Sequence, residues 1–140
     1  MPSPLRCRII GVHPFIPSVA VFDETLVALY GGDLDGFALE QAKSQVTEHF
    51  DGLHVVEIEF VPSADELDWS EITQPVAGTP RSNWQVPYDE QALDTDRTRW
   101  VFFFHFLDFR QPLMTPCGPV TLPAVTPLPN HLQGIEYWAP

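Results

Sequence analysis

The run Trp100-Val-Phe-Phe-Phe-His-Phe-Leu107 is apolar throughout except for His105. As a strand it sets Trp100, Phe102, Phe104 and Phe106 on one face and Val101, Phe103, His105 and Leu107 on the other. Both faces then need cover, so the segment belongs inside a sheet that carries a layer on each side. A chain of 140 residues has the size of one compact unit and buries roughly two-thirds of the surface it exposes unfolded. A single globular domain over residues 1–140 is expected.

Proline limits what surrounds that strand. Each of the 15 prolines removes a backbone donor and fixes its own φ, so long regular elements fit only the proline-poor stretches. Leu5, Cys7 and Ile9 alternate with Arg6 and Arg8, a half-buried strand pattern that ends by Gly11 or Pro14. Val19 to Phe22 and Leu26 to Tyr30 are β-prone runs separated by Asp23-Glu24-Thr25, which suggests a hairpin stopped by Gly31-Gly32. Asp33 or Asp35 offers an N-cap to the one main helix, about 37–50, with Phe37 or Ala38, Leu39, Ala42, Val46 and Phe50 on its stripe and Gly52 at its C-terminus. His54 to Val61 alternates: Val56, Ile58 and Phe60 share one face, Glu57 and Glu59 the other, which is expected to be wet. Pro62 ends it.

Residues 63–97 show no sustained period, yet they carry Trp69, Trp84 and Tyr88. Such a segment is expected as a long loop anchored by its aromatic side chains, with a short helical turn from Ala64 to Ile72. Beyond the central strand, proline recurs from Pro112 to Pro129 among Leu113, Met114, Val120, Leu122, Val125 and Leu128. An extended strap pinned by Ile135, Tyr137 and Trp138 follows. The expected fold is α+β: a sheet of about four to five antiparallel or mixed strands, the helix on one face, the loop and the proline-rich strap on the other.

Charge narrows the partners. Acids outnumber bases 19 to seven, for a net charge of −12, a field that repels nucleic acid and anionic membrane and favours a basic protein partner. The N-terminus lacks an apolar signal core and no run reaches membrane-spanning length, so a soluble, cytoplasmic chain is expected. Cys7 and Cys117 show no metal-binding spacing; both free thiols and a Cys7–Cys117 disulfide are compatible with the sequence.

Chemistry-bearing motifs are sparse. His13, His49, His54, His105 and His131 fall at spacings that announce no metal site, and no phosphate loop or nucleophile motif occurs, so no cofactor or metal is expected. Within residues 57–71, Glu57, Glu59, Asp65, Glu66, Asp68 and Glu71 supply six carboxylates without one base, and Trp69 lies among them. Carboxylates around an aromatic anchor suit a protein-binding surface. The expected function is therefore a non-catalytic acidic binding protein of the inhibitor or immunity type, engaging a basic partner through Glu57, Glu59, Asp65, Glu66, Asp68, Trp69 and Glu71. The competing expectation is a small enzyme or ligand-binding protein with a pocket between sheet and loop, using His105, Asp108 and the Glu57/Glu59 pair.

Overall fold

The computed structural model describes residues 5–63, 72–74, 88–105 and 107–133. They form a single α+β domain built on a four-stranded antiparallel sheet. Its strands are β1 (Arg6–Pro14), β2 (Leu53–Val61), β3 (Tyr88–Ala92) and β4 (Arg99–His105), in the order β1-β2-β4-β3. Residues Trp100 to His105 of the phenylalanine-rich run lie in β4, an inner strand paired on both sides. Two helices, α1 (Val19–Tyr30) and α2 (Gly36–Asp51), lie between β1 and β2 in the chain. A small second sheet pairs β5 (Leu113–Thr115) with β6 (Gly118–Val120).

Each face of the main sheet has its own core. Val56, Ile58 and Phe60 of β2 join Trp100, Phe102 and Phe104 of β4 beneath Ile72, Leu107, Leu113 and Leu122. The opposite face sets Leu53, Val55, Val101 and Phe103 against Leu26 of α1 and Ala42, Val46 and Phe50 of α2. Phe60, Phe102 and Phe104 have no exposed surface, and burying each such side chain contributes about 1.5–3 kcal/mol.

The expected hairpin at residues 19–30 is instead helix α1. A three-residue hairpin loop calls for Gly at a left-handed position, which Asp23-Glu24-Thr25 lacks. Helical spacing puts Val21, Phe22, Thr25 and Leu26 on one stripe, and Ser18 caps it by accepting from the Val21 N–H at 3.2 Å. Gly31, with φ of 85°, closes the helix as its N–H donates to Val27 O at 2.8 Å. The second expected feature to change is the stripe of α2: Ala42, Val46 and Phe50 are buried as expected, but Phe37 is 78% exposed.

Ile10 is an extra residue in β1, a bulge between Ile9 and Gly11 in the pairing with β2. It reverses the alternation. Leu5, Cys7 and Ile9 before the bulge and Val12 after it all reach the same core, while Gly11, paired with Glu57, turns to the helix face. The 63–97 stretch is not wholly irregular, since it contains β3 and a bridge from Thr73 to Met114 of β5. Past β6 the strap runs beside the outer edge of β1, where Val125 bridges Val12 and the Thr126 N–H donates to Val12 O at 3.0 Å. Covering that edge removes a row of backbone groups open to unwanted pairing. A 3₁₀ turn at Asn130–Leu132 then delivers Leu132, fully buried, to the helix-side core. Residues 64–71 of the turn expected from Ala64 to Ile72, and the pins Ile135, Tyr137 and Trp138, lie outside the described residues.

Candidate functional site

The two-residue period of β2 commits Glu57 and Glu59 to the same face as Leu53 and Val55, and the helices cover that face. Glu57 is accordingly 1% exposed, not on a wet surface. Burial of a carboxylate is costly without a donor, and the strap supplies one: His131 Nε2 lies 3.1 Å from Oε1 and 3.0 Å from Oε2 of Glu57. Beside them, the buried His13 ring lies over Gly11. A Cβ at Gly11 would stand 2.7 Å from its Cε1 and Nε2. His13 Nδ1 is fixed at 3.0 Å from Thr126 Oγ1 and 3.1 Å from Thr126 O. Thus the strap meets the helix-side face at two imidazoles, one of them held by a buried acid.

Of the residues expected to share a catalytic pocket, His105 and Glu57 are placed apart. His105 pairs with Leu53 at one end of β4, whereas Glu57 pairs with Val101, four positions away, or about 13 Å along the strand. His105 packs against His49 of α2, ring centroids 4.7 Å apart and planes inclined by 54°, and burial lowers the His49 pKa. Glu59 is occupied by Arg8 at 2.9 Å. Asp108 sits in the turn after β4 and accepts from Arg110 N at 2.9 Å, Arg110 Nε at 3.0 Å and Gln111 Nε2 at 3.3 Å. The Arg110 guanidinium holds its carboxyl below the ordinary range. Gln74 ties the same turn from behind, donating to Asp108 O at 2.8 Å and accepting from Asp108 N at 2.9 Å. Each of these side chains has a structural partner of its own.

Of the residues expected at a docking surface, Glu57 is buried and Glu59 ion-paired. Asp65, Glu66, Asp68, Trp69 and Glu71 lie outside the described residues. Among the described residues no cluster of three or more His, Cys, Asp or Glu side chains is placed to hold a metal ion. None of the described helices is long and apolar enough to cross a membrane.

The helical layer holds a different concentration of charge. Residues 19–51 carry seven acids, Asp23, Glu24, Asp33, Asp35, Glu40, Glu48 and Asp51, against the single base Lys43, and all eight are exposed. Among the described residues none of these acids makes a salt bridge, whereas Glu59, Asp94 and Asp108 outside the layer each hold an arginine. Apolar side chains stand among the unpaired acids: Val19 is 79%, Val27 54% and Phe37 78% exposed. Phe15, Ile16, Pro17, Phe22 and Phe50 line a groove of about 350 Å³ with Asp51 at its rim. Its signal was countable in the sequence, but only helix α1 brings the two halves of residues 19–51 into one layer.

Comparison with protein-family models, with curated proteins and with solved structures finds no match to this chain.

Proposed function

We propose that this chain is a non-catalytic binding protein that docks a basic protein, in the manner of an inhibitor or immunity protein, through its helical layer. The observation that carries the reading is the segregation of charge. Glu59, Asp94 and Asp108 are each matched by an arginine, which cancels their field locally, while the seven acids of residues 19–51 form no salt bridge among the described residues. Unpaired acids attract a basic partner over about a Debye length, roughly 10 Å at 0.1 M salt. Exposed Val19, Val27, Phe37 and the groove beside Phe22 supply the apolar contact that holds it once it arrives. Glu57 and Glu59 take no part, the first because it is buried and the second because Arg8 neutralises it. Asp65, Glu66, Asp68, Trp69 and Glu71 extend the acidic field in the sequence.

The test compares affinity capture from the native host by the wild-type chain, by a charge-reversed variant (D23K, E24K, E48K) and by an apolar-loss variant (V27S, F37S). A basic protein retained by the wild type, released at high salt and lost from both variants supports the proposal. A partner retained equally by all three, or one with an acidic surface, refutes it. Circular dichroism of the variants checks that the exposed substitutions leave the fold intact.

A further inference from the structure

Cys7 and Cys117 are 110 positions apart in sequence, yet the fold sets them side by side. Cys7 lies in β1 and Cys117 in the tight turn joining β5 to β6. Thr115 Oγ1 touches both residues: it is 3.1 Å from Cys7 Sγ, and it accepts from the Cys117 N–H at 3.1 Å. Its own proton goes to Gly118 O at 2.8 Å. From the other side, Cys117 Sγ donates to Leu5 O at 3.3 Å. Both are free thiols, each half-buried. Burial, with the Cys7 sulfur in hydrogen-bonding reach, pushes the Cys117 thiol up to about 12.

From this geometry we infer that Cys7 and Cys117 are a redox-modifiable pair, which an anionic disulfide of the glutathione type converts to an intramolecular disulfide between β1 and the β5–β6 turn. Because its raised proton affinity keeps Cys117 in the thiol form, the first attack falls to Cys7. The Cys7 thiolate attacks one sulfur of glutathione disulfide, forming a mixed disulfide and expelling one glutathione thiolate. The Cys117 thiolate, its proton passed to solvent, then attacks the Cys7 sulfur and expels the second glutathione. Two protein thiols are oxidised, one glutathione disulfide is reduced, and the two protons end on the two glutathione thiols. Because the high proton affinity of Cys117 limits its thiolate fraction, the second step accelerates as pH rises.

The inference is tested on the intact protein equilibrated with glutathione and glutathione disulfide at graded ratios, followed by intact mass, free-thiol count and thermal melting. The expected product loses the mass of two hydrogens, loses both thiols together and yields a proteolytic fragment joining Cys7 to Cys117. Its Tm rises by roughly 10 °C, as expected when a crosslink closes a loop of about a hundred residues. C117S accumulates a stable glutathione adduct at Cys7, which the wild type resolves. Thiols that stay free, a mixed disulfide that persists in the wild type, or disulfide-linked dimers in place of the internal bond would each overturn it. The wild-type readouts stand alone should C117S fail to fold.

Discussion

Removing His131 is expected to expose the cost of burying Glu57. The carboxylate is 1% exposed, and both its oxygens lie within 3.1 Å of His131 Nε2. At that separation and an effective dielectric near 20 the pair attracts by about 5 kcal/mol when the ring carries both protons, and a neutral ring donating to the carboxylate still contributes roughly 1.5–3 kcal/mol. The His131 side chain is 52% exposed, so water screens the pair. The cost should then fall below the roughly 3–5 kcal/mol seen when a fully buried ion loses its partner. His131→Ala should therefore cost about 2 kcal/mol. With a urea slope of about 1.5 kcal/mol/M, the unfolding midpoint drops by about 1.3 M. Glu57→Gln removes the charge and keeps the shape, so in that background His131→Ala loses only a neutral hydrogen bond, about 0.5–1 kcal/mol. The double-mutant cycle should show a coupling of about 1–1.5 kcal/mol. Hydrogen exchange at Thr126 N–H, bonded to Val12 O, should quicken in His131→Ala as the strap loosens. Equal costs in the two backgrounds would refute the pairing and leave His131 as a packing residue only.

Gly11→Ala places a methyl 2.7 Å from two atoms of the His13 ring, which is buried and tied to Thr126, and should cost about 1–3 kcal/mol by overpacking; calorimetry should show the loss shrinking in the His13→Ala background. Asp94 accepts from Thr98 Oγ1 at 2.8 Å and from Thr98 N at 3.0 Å, and the Thr98 hydroxyl chiefly lowers its pKa from 3.8. A depressed folded pKa gives stability that is present above 3.8 and lost as pH falls through the lower folded value. Asp94→Asn should thus be less stable than wild type at neutral pH, with the difference shrinking toward acid; a constant difference across denaturation at several pH values would contradict the assignment.

What was legible in the sequence was whatever a short window determines. Trp100–His105 had to be inner strand because neither face tolerates water, and β4 is paired on both sides; the strand ends there, and Leu107 packs with Phe102 and Phe104 instead of with Val101 and Phe103. The stripe Ala42, Val46, Phe50 had to be a buried helix face for the same reason. Residues 19–30 were misleading because Val, Phe, Leu and Tyr satisfy either period over so few positions. Ser18 and Gly31 were the cues to helix.

The position of Glu57 shows where local reading ends. Alternation in β2 assigned it a face, but whether that face was wet depended on α1, α2 and a strap seventy residues downstream. Tertiary structure alone brought His131 to its carboxylate, set Cys7 against Cys117, and separated His105 from Glu57. The sequence by itself determined periodicity, composition and net charge, because these are sums over neighbours along the chain. Which charges are matched and which face outward was decided only by the fold, because the Coulomb and desolvation energies that govern them depend on distance in space.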